Sequence, residues 1–185
     1  MKKIIQIILI FLIPSICTGQ NGTQPPYPYS TYISGVEFAP ESTIVRLAKG
    51  SDNFPITWAD DDHLYTTYGD GWGFEPMMED KLSLGFARIT GYPPDHHGEN
   101  ILSTGERYGD GESGEKGSGI LMVDGVLYIW LMHADRNGGQ SRLARSDDYL
   151  KTVTMSDWLF EEFGTTTFIN YGKNYAGSRD DYVYS

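Results

Sequence analysis

The sequence is short of cysteine, of positive charge and of long apolar runs. Its one cysteine, Cys17, lies near the start. Without a second thiol the chain closes no internal disulfide, so its fold must rest on a packed core. Lysine and arginine number 14 against 25 aspartates and glutamates, a net charge of −11. That balance argues against nucleic acid or an anionic membrane surface as partner. The only extended apolar run is Ile4–Ile16, broken by Gln6, Pro14 and Ser15. It is too short for a stable membrane span. No segment keeps a clean helical period, and there is no G-x-S-x-G elbow of the serine hydrolases.

What is present at the start is an export pattern. Lys2 and Lys3 precede the apolar run, and small Cys17 and Gly19 sit at the −3 and −1 positions of a cut after Gly19. Residues 1–19 are therefore expected to be a secretory signal peptide, delivering the protein to the periplasm or the exterior with no membrane insertion after cleavage. A lipid anchor on Cys17 fits less well, because Pro14 and Ile16 suit a lipobox poorly. Residues 20–36, containing "NGTQPPYPYST", read as an extended leader.

Residues 37–185 read as all-β. Short apolar or alternating runs are separated by Gly, Asp and Pro clusters: "FPITWA" (54–59), "HLYTTYG" (63–69), "GFARITG" (85–91), "GILMV" (119–123), "VLYIWLMH" (126–133), "RLARS" (142–146) and "TTFINYG" (166–172). Asp124-Gly125 between two such runs predicts a two-residue hairpin turn. "SDWLFEEFG" (156–164) reads equally as a helical turn or as strand and loop. One pattern recurs: "DDHLY" at 61–65, "DGVLY" at 124–128 and "DDYVY" at 180–184, spaced 63 and 56 residues apart. An acidic turn leading into a Tyr-bearing strand at this period suits the four-stranded blades of a β-propeller. "SDDYLKTV" (146–153) resembles an Asp-box, S-x-D-x-G-x-T-W, with Leu150 and Val153 in place of the glycine and the tryptophan. A propeller closes with about four to eight blades. The expectation is therefore that this chain is the N-terminal portion of a longer, monomeric propeller.

The candidate chemistry lies in carboxylates. Asp52 precedes one predicted strand and Asp70, in "YGDGWG", follows the next. If those strands pair antiparallel, the two side chains share one rim. A pair of carboxyl groups facing one cavity is what glycosidic-bond hydrolysis requires. Trp72 and Tyr68 offer flat faces to a sugar ring, and Trp58 and Arg88 complete the expected saccharide contacts. Arg107, Arg142 and Arg179 are further possible donors to hydroxyls. Asp60, Asp61 and Asp62 fall at the opposite end of the same hairpin and read as a solvated turn. Calcium is a weaker alternative for them, because their spacing is not that of an EF-hand. His96, His97 and Glu99 sit in "GYPPDHHGEN", read as a polar loop, and lack zinc-protease spacing. "GDGESG" (109–114) matches G-x-G-x-x-G only formally, since it is acidic and precedes a strand. No metal or cofactor site is assigned.

"GSDNFPITWADDDHLYTTYGDGWGF", "KLSLGFARITGYP", "SGILMVDGVLYIW", "RLARSDDY" and "TFINYGKNYAGSRDDYVY" together resemble the exported bacterial proteins catalogued as domain of unknown function 4185, from about Phe38 onward. The resemblance implies a five-bladed β-propeller related to glycoside hydrolases, some relatives being endo-acting enzymes that cut D-arabinan. Their paired catalytic aspartates match Asp52 and Asp70 here. Gly71 follows Asp70 where the arabinan-cleaving branch tends to have threonine, which places this chain in a different branch. The expected function is thus cleavage of a polysaccharide, arabinan-type by resemblance, by an exported protein. A non-catalytic glycan-binding or scaffolding propeller is the alternative, and a lyase acting on acidic polysaccharide a third.

Overall fold

The computed structural model describes residue 28 and residues 30–109, 114–135, 139–161 and 164–185. The signal peptide, most of the first part of the leader and residues 110–113 of "GDGESG" lie outside the described residues. The chain divides into two units, Met1–Ala39 and Pro40–Ser185. In the first, the described residues form neither helix nor strand, and Ser30 Oγ accepts from the Tyr32 and Ile33 amides at 3.1 and 2.9 Å.

The second unit is all-β. Its helical content among the described residues is two single 3₁₀ turns, Glu41–Thr43 and Lys173–Tyr175. The first sheet holds β1 (Ile56–Trp58), β2 (Leu64–Tyr68), β3 (Leu82–Thr90), β4 (His97–Ile101) and β5 (Arg107–Tyr108). The second holds β6 (Lys116–Val123), β7 (Val126–Met132), β8 (Gln140–Ser146), β9 (Thr154–Met155) and β10 (Phe160–Glu161). Every strand pairing is antiparallel, and the first three strands of each sheet follow one another in chain order. The third strand then divides its outer edge. β3 pairs β4 along Phe86–Thr90 and β5 along Leu82–Leu84. β8 pairs β9 along Ala144–Arg145 and β10 along Gln140–Ser141. The two sheets thus share one plan, and they do not close into a ring.

Apolar faces hold the sheets together. Tyr65, Leu84 and Phe86 of the first sheet enter one cluster with Ile120, Met122, Leu127, Ile129 and Leu131 of the second. Each such side chain contributes roughly 1.5–3 kcal/mol on full burial. The inner strands also meet through a polar contact: buried Thr57 Oγ1 accepts the Met122 amide at 2.9 Å. A second cluster, Tyr68, Phe74, Leu82 and Ala87, forms with Phe54 and Ala48 at the first sheet. A register shift falls between Leu82 and Leu84, and these two leucines belong to different clusters.

Turn chemistry explains where strands begin. Asp124 and Gly125 both take positive φ, 48° and 77°, as a two-residue hairpin with this twist demands. Asp61 accepts the amide two residues on (His63, 3.1 Å) and the hydroxyl four residues on (Tyr65, 2.8 Å). Asp180 repeats both bonds with Tyr182 (3.0 Å) and Tyr184 (2.6 Å). At Asp61 and Asp180 the Asp–Tyr pattern therefore ties an acidic turn to the tyrosine four residues on. The Asp-box-like turn links β8 and β9. Ser146 Oγ donates to Asp148 Oδ1 (3.0 Å) and accepts the Leu150 amide (2.8 Å), while Asp148 accepts the Thr152 amide (2.8 Å) and hydroxyl (2.7 Å). Leu150 sits at φ 70°, where the motif has glycine, and its fully buried side chain anchors the turn in the core.

Two expectations need correction. "GYPPDHHGEN" is not wholly loop: His97–Ile101 pairs with β3 as β4, because the long third strand offers an edge that polar residues can pair with through backbone alone. "TTFINYG" forms no assigned strand, although the Ile169 amide donates to Tyr184 O at 3.0 Å. "SDWLFEEFG", left open above, supplies β10.

The Asp148 turn should be pH-sensitive. Burial pushes its carboxyl pKa up, but hydrogen bonds from Thr152 and Ser146 and the charge of Lys151 more than offset this and hold it below the usual range. A depressed carboxyl stabilises the fold above its unfolded value of about 3.9, and that contribution is lost as pH falls through the folded value. Asp148→Ala should lower the thermal midpoint at pH 7 by about 2–4 °C. The gap from wild type should narrow on acidification below about pH 4; a gap independent of pH would contradict this role.

Candidate active site at the hairpin rim

The chain on either side of the β1–β2 hairpin brings two aspartates together. The Asp52 amide donates to Gly69 O at 2.9 Å and the Gly69 amide returns a bond to Asp52 O at 2.8 Å. Asp70 is the next residue, so the two aspartates lie side by side in the backbone at one rim, as expected from antiparallel pairing. Asp52 Oδ1 lies over Gly69, 3.2 Å from where a Cβ would be. Asn53 and Asp70 take φ of 53° and 47°, a conformation Asn and Asp adopt more readily than other side chains. Ser51 packs against Gly71, where any side chain would collide with it, and its Oγ accepts the Gly73 amide at 3.0 Å. This contact ties the segment before Asp52 to the segment after Asp70.

The second sheet contributes a residue that sequence reasoning missed. Lys116 opens β6, is 5 % exposed, and places Nζ 2.5 Å from Asp70 Oδ1. A nearly buried ammonium needs such a partner, because desolvation of an unpaired charge costs several kcal/mol. Asp70, 26 % exposed at its side chain, keeps contact with solvent. Gly117 makes the approach possible: a Cβ there would lie 2.1 Å from Thr67 Oγ1 of β2. The sequence signal was "EKGSG", charged residues and glycines opening an otherwise apolar strand. The preceding residue, Glu115, is buried and accepts from Arg107 Nε (3.0 Å) and Arg142 Nε (2.7 Å). Those two arginines, read above as sugar donors, instead bind β5 and β8 to the start of β6.

Of the aromatic candidates, Trp72 shares the rim. It is 36 % exposed, its ring edge lies against Gly50, and Lys81 Nζ sits 5.5 Å from its centroid. Tyr68 does not face a ligand. It is 1 % exposed, tilted on Phe54 at 6.4 Å, and packed into space left by Gly73 and Gly85. Burial, with a smaller push from Glu106, raises its pKa well above the usual tyrosine range. Trp58 is half-exposed but pairs with Leu64 at the other end of β1, about 20 Å along the strand from Asp52. Arg88 lies on β3 across from Tyr65 and Glu99, and binds Glu99 at 2.6 Å. Neither joins the aspartate pair. Arg179 is exposed outside the two sheets.

The conspicuous acidic triplet is structural. Asp60 accepts from Tyr149 OH (3.0 Å), Asp61 from His63 and Tyr65, and Asp62 pairs with Lys173 (2.6 Å). Turned to three different partners, these carboxylates do not converge on a cation. Among the described residues no group of three or more His, Cys, Asp or Glu is placed to hold a metal ion.

No protein-family model matches the chain, and no curated protein matches it.

The Lys116–Asp70 pair can be measured directly. In a double-mutant cycle of Lys116→Met and Asp70→Asn, each single change should destabilise by about 2 kcal/mol, because each leaves one buried or half-buried partner unmatched. The coupling should be about 1 kcal/mol or more by denaturant unfolding. Additive effects would show that the two groups do not interact in solution.

Proposed function

We propose that the protein is an exported glycoside hydrolase built on a five-bladed β-propeller, in which the two sheets are blades and Asp52 and Asp70 are the catalytic pair. The observation that carries this reading is the backbone bridge that sets Asp52 beside Gly69 and Asp70 at the open end of one hairpin, near a part-exposed tryptophan. The shared plan of the two sheets and the third Asp–Tyr turn at Asp180 support the propeller, as does the resemblance to the domain-of-unknown-function 4185 proteins.

Roles follow from the surroundings. Asp70, fixed by the Lys116 ammonium, suits the carboxylate that activates water or attacks the anomeric carbon. Asp52, which makes no ion pair among the described residues, then takes the other role, protonating the leaving oxygen. Trp72 offers a face on which a sugar ring can lie, and the substrate is a polysaccharide, arabinan-type if the resemblance extends to specificity. A non-catalytic glycan-binding propeller is the second reading, favoured by the ion pair itself, since a structural Lys116–Asp70 bridge beside Trp72 would bind sugar without cutting it.

Full-length protein carrying Asp52→Asn or Asp70→Asn should lose polysaccharide cleavage by about a thousandfold or more, the scale of losing an acid–base or nucleophilic group. The circular dichroism spectrum should not change. Unchanged turnover in both variants would exclude the pair.

A further inference from the structure

The two hairpins that open the sheets are copies of one another down to an inserted residue. In the first, Asp52 pairs with Gly69 and Ile56 with Thr66, so four steps along one strand oppose three along the other. In the second, Lys116 pairs with Met132 and Ile120 with Ile129, again four steps against three. Both extra residues fall on the first-strand side, between Gly117 and Gly119 in the second hairpin and between the Asp52 bridge and Ile56 in the first. Lys116 therefore occupies the position of Asp52, and His133, which follows Met132, occupies that of Asp70. The backbone agrees: Asp70 has φ 47° and His133 φ 60°.

His133 makes one ring contact. Its Nδ1 lies 3.2 Å from Gly114 O. A carbonyl only accepts, so Nδ1 carries the proton and Nε2 of the neutral ring is left as an acceptor. The ring is half-buried at the same rim as Lys116, whose ammonium crosses to Asp70.

We propose that the binding site spans both hairpins and that His133 is a further substrate-contacting residue, its Nε2 accepting a hydroxyl of the bound saccharide. This rests on the glycan-active reading of the rim and extends it to the second sheet. The rim then offers acceptors from both hairpins, Asp52, Asp70 and His133, with the Lys116 ammonium bound to Asp70. That array suits a neutral, hydroxyl-rich sugar better than an anionic one.

The test uses His133→Asn. The asparagine amide can still donate to Gly114 O and tolerates the left-handed backbone, so it deletes Nε2 alone. Full-length Asp52→Asn protein, with and without His133→Asn, is titrated calorimetrically with linear arabinan, galactan and xylan oligosaccharides. The expected result is about tenfold weaker binding in the double variant, the scale of one hydrogen bond, with the thermal midpoint unchanged. Equal affinities would overturn the proposal while leaving the hydrolase reading to the aspartate variants. Weakened binding with no cleavage by wild-type protein would uphold His133 and reject hydrolysis. A lowered midpoint would reassign His133 to holding Gly114, and absence of binding by every oligosaccharide would overturn the proposal.

Discussion

A lysine ammonium withdrawn from water must find a negative charge, and Lys116 finds Asp70 on the neighbouring sheet. This requirement organises much of what surrounds it. Gly117 has no side chain so that β6 can come close to β2. Glu115, one residue earlier, is engaged by Arg107 and Arg142, which fixes the start of β6 from its other side. Met122 and Thr57 continue the contact between inner strands deeper in the fold. The apolar cluster supplies most of the driving force for packing the sheets, but it is not directional. The ion pair and its neighbours give that packing a register at the rim.

Repetition supplies the second half of the account. Each sheet opens with a hairpin, carries one extra residue on its first-strand side, and splits the outer edge of its third strand between two short partners. Repeating the backbone while varying the side chains gives equivalent rim positions different chemistry: Asp52 and Asp70 in one copy, Lys116 and His133 in the other. Away from the rim, Asp61 in the first hairpin turn and Asp180 beyond the second sheet make the same two bonds, to the amide two residues on and the tyrosine hydroxyl four residues on.

The all-β class, most of the strands and the Asp124-Gly125 turn were legible because they are local: alternation, β-branched runs and a dipeptide suited to positive φ. The adjacency of Asp52 and Asp70 was also legible, since one antiparallel hairpin suffices to infer it. Lys116 was not, because its partner lies 46 residues away on another sheet. Tyr68 was misread for a related reason. Whether an aromatic ring at a rim points to solvent or core depends on the room left by Gly73 and Gly85, which belong to other segments. β4 was missed because "HHGEN" has no apolar alternation, its strand character coming from the free edge of β3. Arg88, Arg107 and Arg142 show the same limit, for their carboxylate partners are fixed by register rather than by sequence neighbours.

The central claim is that the rim between the two opening hairpins is where the protein meets a saccharide. A crystal structure of the full-length Asp52→Asn protein soaked with an oligosaccharide tests it most directly. The account predicts a sugar ring on Trp72 with hydroxyls within hydrogen-bond distance of Asp70 and Lys116. A saccharide seated elsewhere, for example in the apolar groove between Tyr128 and Trp158, would contradict it.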